Sequence, residues 1–436
     1  MKTNTLLAIL QQSEYDWQYF LDWHQAHEKN LPTIKPHKWT IKLKIIKLIT
    51  KFLFILPPLI NLKLALFLFK ILELPARFLI TSLAKIKLII LQKQGLVIVA
   101  IAGSYGKTSV KHIMAHTLKK QTSLLATPKS VNTPLGISQI VLQKLTKKHQ
   151  LFIVELGEYY VGDIKKLTNF INPNFGIMTP VGAQHLERMG SIENIALTMT
   201  ELSDYFKNKK SNLLIAQENE QFFDNTWRFY GSDSQSDYQI KEASVARRGT
   251  DFIAKTPHLE IKSFSPLYGK HQAINLLPSL WLANELKLDV EKTIKTAASL
   301  PYLSRRHKPT FAQNNVLILD NSYNTNPSSI KASLDLINQL DSSNRIIITL
   351  GFVELGKESD KFHHQLGKLL AKKVDYVGLV KSRWNDQVET GYLEAGGKKS
   401  HFITATNPDE ALQLLRDNIK SNSIILMEGG YQEIFT

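Results

Sequence analysis

Cysteine is absent from all 436 residues. Disulfides, thiolate metal sites and cysteine nucleophiles are therefore excluded, and a reducing compartment suits the chain. Acidic residues are scarce in one region. Between Lys35 and Lys93 stand 12 Lys or Arg against a single acid, Glu73. That segment supplies +11 of the net +16, so the remainder is only mildly basic. A spanning-length apolar run is missing there too. The charge-free stretch Phe52–Leu62 has 11 residues and contains Pro57, Pro58 and Asn61, and Lys63 separates it from Leu64–Phe69. A membrane-spanning helix needs about 20 apolar residues. The first 40 residues are polar and carry Trp and Tyr, so no signal peptide is expected.

What this region does contain is lysine set among Ile and Leu. Lys42, Lys44, Lys47 and Lys51 punctuate Ile41–Lys51, a pattern suited to an interfacial helix with snorkelling lysines. Three readings stay open: interfacial or hairpin association with a membrane, a true span, and a soluble helical domain with a buried apolar face. The charge lies in an apolar stretch rather than on a polar face. That favours an anionic membrane surface, contacted through residues 35–93, and no nucleic acid is expected as partner.

Residues 96–118 read as strand, loop and helix. The strand is Leu96–Ile101, and the loop runs through Gly103, Ser104, Tyr105, Gly106, Lys107, Thr108 and Ser109. Backbone N–H groups in such a loop, with the positive end of the helix behind it, cradle phosphate oxygens. Lys107 would reach the outer phosphates and the Thr108 hydroxyl would sit on Mg²⁺. The full P-loop pattern asks for glycine at 101, where Ile101 stands, and the first glycine comes two residues later. The alternative is a glycine-bearing turn followed by a chance Lys-Thr.

Beyond residue 95 apolar strands alternate with helical periodicity. Strands are expected at Leu151–Leu156, Phe175–Thr179 and Asn212–Ala216, and helices at Val110–Lys120, Ser138–Thr146 and Ile192–Phe206. Asp224–Lys262 suggests short antiparallel strands, and a helix follows at Gln272–Leu286. After about residue 300 a second pattern begins, with strands at Val316–Asp320, Arg345–Leu350, Tyr376–Val380 and Ser423–Met427. Its helices are expected at Ser328–Gln339, Lys361–Lys373 and Pro408–Ile419. The expectation is an α/β protein in three parts. Residues 1–95 form a helical, basic, apolar segment. Residues 96–300 form a central P-loop ATPase domain with a mostly parallel sheet, and residues 301–436 a C-terminal Rossmann-like α/β domain.

Seven strings, in order, resemble the Mur ligase family, ATP-dependent enzymes that build peptide stems on cell-wall precursors. They are Gly-Ser-Tyr-Gly-Lys-Thr-Ser at 103–109, Ser-Val-Asn-Thr-Pro-Leu-Gly at 130–136, Val-Glu-Leu-Gly at 154–157 and Ala-Gln-His-Leu-Glu at 183–187. Gly-Lys-His-Gln-Ala-Ile-Asn at 269–275, Leu-Asp-Asn-Ser-Tyr-Asn-Thr-Asn-Pro at 319–327 and Glu-Leu-Gly-Lys-Glu-Ser at 354–359 complete the set. The last two favour the branch that joins D-alanyl-D-alanine to a UDP-MurNAc-tripeptide. The resemblance implies ATP and Mg²⁺ as cofactors and a cell-wall precursor with a dipeptide or amino acid as substrates; a cytoplasmic location is expected, with the basic apolar segment at the inner face of the cell membrane.

Such ligation activates a carboxylate as an acyl phosphate, which an amine then attacks. Cations must screen the approach of two anions. Thr108 and Glu155 are the expected Mg²⁺ ligands, Glu155 standing at the C-terminal end of a strand. The resemblance assigns Lys107 and Glu155 to catalysis and His185 to a second metal. It implies Asn275 with His271 near the adenine, Asp320 at the ribose, Arg306 or Arg305 at the domain junction, and a family position for His363.

Three departures stand out. The family's carbamylated lysine aligns with Met199, whose thioether cannot replace a hard oxygen ligand; Glu201 is the nearby acid. The family's Lys-Gly-Ser is here Glu428-Gly429-Gly430, an anion where a cation recognises an anionic group. The basic apolar segment stands where the family has its UDP-binding domain, which suits a precursor presented at the membrane. Two further functions remain open: a related ligase acting on another acceptor, such as a polyglutamate or different envelope polymer, and a nucleotide-binding membrane scaffold without turnover.

Overall fold

The computed structural model describes residues 3–429 apart from 14, 16, 18–19, 22–23, 26–38, 54, 159, 183–191, 324, 353–354 and 356–357. Two compact units divide the chain, Met1–Leu83 and Ala84–Tyr431.

The first unit is helical: α1 (Thr3–Gln12), α2 (Ile41–Phe52) and most of α3 (Pro58–Lys93). Leu6, Leu10, Leu43, Ile46, Leu62 and Leu66 form its core. Thr40 starts α2 by accepting a hydrogen bond from the Leu43 N–H at 3.2 Å. The charge-free Phe52–Leu62 stretch is not one helix. α2 stops at Phe52 and α3 begins at Pro58, a position where the missing N–H of proline costs nothing. Asn61 ties the break together by donating to the Thr50 and Leu53 carbonyls at 3.0 and 2.9 Å. Ile41, Leu48, Phe52 and Ile55 project to solvent, as do Leu72, Leu74, Phe78 and Leu79 of α3. Among the described residues, no helix is long and apolar enough to cross a membrane.

The second unit holds two sheets, and it is mixed α/β with mostly parallel strand pairing, as expected. The first sheet uses β1 (Val97–Ala102), β2 (Leu124–Ala126), β3 (Leu151–Glu155), β4 (Phe175–Met178), β5 (Leu213–Ala216), β6 (Arg228–Gly231), β7 (Tyr238–Ala246), β8 (Gly249–Lys255) and β9 (Glu260–Ser265). Its order is β2-β3-β1-β4-β5-β6-β7-β8-β9, parallel from β2 to β7 and antiparallel across β7-β8-β9. The central strands are buried on both faces, which is why they read as continuous apolar runs. Ile98, Ala100, Phe152 and Val154 face one core, and Val99, Ile101, Leu151 and Ile153 the other. Ala84, Leu88 and Leu91 of α3 join the first of these cores.

Helices α4 (Lys107–Leu118), α5 (Pro134–Gln143), α6 (Asp163–Ile171) and α7 (Ile192–Phe206) follow the strands. The helix expected at Gln272–Leu286 is instead two: α8 (Lys270–Ile274) and α9 (Leu277–Glu285). Pro278 in the first turn of α9 cannot donate to a preceding turn, so the helix restarts there. Helix α10 (Val290–Thr296) leads to the second sheet.

That sheet contains β10 (Lys308–Phe311), β11 (Leu317–Asn321), β12 (Arg345–Thr349), β13 (Tyr376–Val380), β14 (Phe402–Ala405) and β15 (Ile424–Glu428) in the order β10-β11-β15-β12-β13-β14. All pairs are parallel except β10-β11. Helices α11 (Pro327–Gln339), α12 (Ser359–Lys373), α13 (Asn385–Glu394) and α14 (Pro408–Leu414) pack on it. The last is shorter than the expected Pro408–Ile419 helix, giving way to a 3₁₀ turn at Arg416–Asn418.

Candidate active site

The loop between β1 and α4 is built for close approach. Gly103 has φ +132°, and a Cβ there would lie 2.6 Å from the Thr179 carbonyl oxygen. Gly106, at φ 83°, is the residue that precedes α4. Only glycine adopts these angles without strain. The Ser104 and Tyr105 N–H groups donate to the Pro180 carbonyl at 3.0 and 3.1 Å, which pins the loop to the end of β4. Ser104 Oγ accepts from the Gly182 N–H at 3.1 Å. Tyr105 is packed against Gly182, and burial pushes its phenol up. Ser109 is buried in the first turn of α4.

Parallel pairing aligns Ile101 of β1 with Glu155 of β3, so the carboxylate emerges beside the loop. Thr108 Oγ1 donates to Glu155, 2.9 and 3.1 Å from its two carboxylate oxygens. Lys111, one helical turn beyond Lys107, points to the same carboxylate at 2.7 Å and also donates to the Lys129 carbonyl. Burial lowers the Lys111 ammonium from its usual value, and the Glu155 charge opposes that shift. Lys107 donates to the Gly103 carbonyl and pairs with Glu158 at 2.7 Å. The site thus holds two buried Lys–Glu pairs side by side.

Residues flanking the first strands of the second sheet, and the end of α8, close in on this cluster. Burial is the main influence lowering the Arg306 guanidinium; the charges of Tyr323 and Glu155 act in the opposite sense. Arg306 stacks over the Tyr323 ring at 4.5 Å, and Tyr323 Oη is 3.0 Å from Ser130 Oγ. Arg305 instead turns away to the Ser322 hydroxyl and carbonyl. Asp320 accepts from the Ser322 N–H at 3.1 Å and its hydroxyl at 2.6 Å. The Asn275 Oδ1 lies 3.1 Å from where a Gly106 Cβ would be, so its amide sits on the loop. His271 lies one turn earlier. It keeps some accessible surface, yet desolvation pushes it down to about 4, and its ring is 5.4 Å from that of His307.

Thr108 and Glu155 offer hydroxyl and carboxylate oxygens, now facing an ammonium, and such a set fits a hard divalent cation. His185, the expected second-metal residue, lies outside the described residues, as do Glu354 and Gly356. Met199 is buried in the apolar core with Ile195 and Leu202. Glu201 is committed elsewhere. Its carboxylate accepts the Gly162 and Lys165 N–H groups at 2.5 and 2.8 Å and caps the start of α6. His363 is held as a structural residue by its described contacts. Its Nε2 accepts the Phe352 N–H at 3.0 Å, its Nδ1 donates to the Ser359 carbonyl at 2.7 Å, and its ring stacks on Trp384 at 4.5 Å.

Glu428 ends β15 fully buried. Asn321 donates to both its oxygens at 2.9 Å, and Thr325 to one at 3.4 Å. Desolvation pushes its carboxyl up to about 8.

Sequence reasoning passed over Lys111 and Glu158. The first sits four residues after Lys107 on one helix face, and the second three residues after Glu155. Both spacings were visible, but only the fold aims the four side chains at one another.

Residues 101–283 match the Mur ligase middle domain, and residues 305–430 match the Mur ligase glutamate ligase domain. The UDP-N-acetylmuramoyl-tripeptide–D-alanyl-D-alanine ligase of Bacillus subtilis is 26% identical over 357 residues, covering 80% of this chain and 76% of that protein. The Escherichia coli protein of the same name is 27% identical over 326 residues, covering 73% and 71%. Among solved structures, the MurF ligase of Thermotoga maritima in complex with ADP superposes with a TM-score of 0.71 at 22% identity, covering 82% of this chain and 81% of that one. With both domains matched in order and the same two-sheet fold, the chain belongs to the Mur ligase family.

Proposed function

We propose that the chain is an ATP-dependent peptide ligase that joins D-alanyl-D-alanine to the stem peptide of a peptidoglycan precursor. The observation that carries this reading is the convergence of Lys107, Thr108, Glu155 and Arg306 at one phosphate-binding loop, in a chain whose curated relatives carry that activity in their names.

In this reading the Ser104 and Tyr105 N–H groups hold the loop to the Pro180 carbonyl, the N–H groups from Gly106 to Ser109 and the Lys107 ammonium bind the polyphosphate, and Asn275 and Asp320 contact the nucleoside. Thr108 and Glu155 would hold Mg²⁺, which supplies positive charge between the two anions. Lys111 fixes the orientation of the Glu155 carboxylate, and Arg306 brings a cation from the second sheet to the same anions. A carboxylate oxygen of the stem peptide attacks the γ-phosphorus and ADP leaves. The amine nitrogen then attacks the acyl carbon, phosphate leaves with the former carboxylate oxygen, and the amine proton passes to solvent. His185 belongs to the proposed catalytic set by family position.

The exposed Ile and Leu of α2 and α3, interleaved with lysines, support binding of the chain to an anionic membrane surface at the cytoplasmic face. A ligase for a different acceptor is the second reading, favoured by Met199 and Glu428 at the two positions where the family carries lysine.

Purified protein with ATP, Mg²⁺, a panel of stem-peptide acceptors and D-alanyl-D-alanine tests the proposal. Phosphate release with a product heavier by the dipeptide is expected. Release with another acceptor alone supports the second reading, and release with none, despite nucleotide binding, overturns both.

A further inference from the structure

Two segments meet around Arg306: the turn before β10 and the stretch that follows β11. In the turn, Arg305 and His307 both have left-handed backbone angles, φ 62° and 50°, although neither is glycine. Such angles are costly for a residue with a Cβ and persist only where neighbours hold them. His307 Nε2 lies 2.8 Å from Ser333 Oγ. The Arg305 guanidinium donates to the Ser322 hydroxyl at 3.0 Å and to the Ser322 carbonyl. The Tyr323 N–H returns to the Arg305 carbonyl at 3.2 Å. These contacts fix the backbone on both sides of Arg306, but they leave its long side chain to be aimed.

Tyr323 supplies the aim. The guanidinium carbon of Arg306 stands 4.5 Å from the centre of the Tyr323 ring. The ring is tied at its far end, where Tyr323 Oη lies 3.0 Å from Ser130 Oγ. Ser130 follows Lys129, whose carbonyl accepts from Lys111, the partner of Glu155. The platform under Arg306 is therefore anchored to the same lysine that holds the expected metal ligand.

The use of an aromatic ring follows from charge. The Arg306 charge helps to lower the Lys111 ammonium, so the two cations repel. Glu155 is already engaged by Thr108 and Lys111. A further carboxylate beside Arg306 would hold it, but would then stand next to an incoming polyphosphate and repel it. An aromatic face attracts a guanidinium and carries no net charge.

We propose that Tyr323 is the positioning residue for Arg306: its ring, braced on Ser130, keeps the guanidinium turned toward Glu155 and the phosphate-binding loop before the nucleotide arrives. Tyr323 then contributes to polyphosphate binding only through Arg306. The inference rests on the nucleotide reading above.

A double-mutant cycle on the full chain tests it. Calorimetry measures the affinity for the non-hydrolysable β,γ-methylene analogue of ATP, with Mg²⁺, in wild type, Tyr323→Leu, Arg306→Met and the double variant, with Tyr323→Phe as the ring-retaining control. Tyr323→Leu should weaken binding about fivefold or more, and Tyr323→Phe by less than about threefold. In the Arg306→Met background, Tyr323→Leu should cost nothing further. An equal loss in both backgrounds, no loss in the wild-type background, or a loss in Tyr323→Phe as large as in Tyr323→Leu would overturn the proposal while leaving the nucleotide reading in place. Wild-type protein that does not bind the analogue would overturn the nucleotide reading and the proposal with it. The Tyr323 ring is 44% exposed, so its replacement opens no core cavity. Thermal unfolding establishes that each variant is folded; if Tyr323→Leu is not, Tyr323→Met takes its place in the same cycle.

Discussion

Replacing Glu428 by glutamine should make the protein more stable in alkali, with a pH profile that identifies the cause. Glu428 closes β15 with no accessible surface, and no cation is paired with it among the described residues. Desolvation is the main influence on its carboxyl. Hydrogen bonds from Asn321, Ser333 and Thr325 act against it, and the Asp320 charge adds to it; the result is a rise from 4.5 to about 8. In the unfolded chain the group titrates near ~4.3. Between those two values the folded state binds more protons than the unfolded one, so stability falls as pH rises. Below the unfolded pKa both states are protonated and nothing is lost; above the folded pKa the loss is complete. At about 1.4 kcal/mol per unit the ceiling is on the order of 5 kcal/mol, and relaxation around the charge reduces it to a few. Denaturant unfolding of wild type and Glu428→Gln at intervals across the range from acid to alkali measures the difference. The gap should open in favour of the variant as the pH climbs toward 8 and level off beyond it. Two curves that stay parallel throughout would refute the argument, because every other titrating group is common to both proteins.

Lys107→Ala should abolish ATP-dependent phosphate release by removing the phosphate-facing cation; retained turnover would refute the P-loop assignment. Lys111→Met leaves Glu155 buried without its ion-pair partner, a loss of about 3–5 kcal/mol. Its thermal midpoint should fall, and Mg²⁺ with nucleotide should raise it by more than they raise the wild-type midpoint; an equal rise in both would mark Lys111 as purely structural. His271 and His307 are both pushed down by burial, His271 to about 4. Their contribution to stability is present above the ordinary histidine value and is lost as the pH falls through the lowered ones, so acid unfolding should begin below about 6.5 and weaken in His307→Gln. Changing Lys42, Lys44, Lys47 and Lys51 to glutamate should release the protein from vesicles containing phosphatidylglycerol, read by co-sedimentation; unchanged binding would sink the interfacial reading.

The legible part of the fold has a common cause. Strands β1, β3, β4 and β12 are short and apolar because both faces are covered, and such runs announce themselves. β2 and β14 were passed over, since three or four residues carry too little pattern. The split between α8 and α9 needed only Pro278 to be weighed against the surrounding apolar periodicity. At the site, the loop 103–109 and Glu155 were readable because their chemistry is tied to local strand–loop–helix order. The role of Glu201, the acid near Met199, was not legible, because its carboxylate is spent on two N–H groups at the start of a helix 36 to 39 residues earlier in the chain.

The order of residues by itself determined the α/β class, the strand–loop–helix order around 103–109, the cysteine-free chemistry and the basic apolar character of residues 35–93. These are local properties, set by neighbours a few positions apart. Only the tertiary structure decided which acid meets which lysine, that Glu428 is buried without a cation, and that Arg306 rather than Arg305 faces Glu155. Those outcomes depend on parallel strand register and on contacts between groups tens to hundreds of positions apart, where burial strips away solvent and turns an ordinary charge into a costly or decisive one.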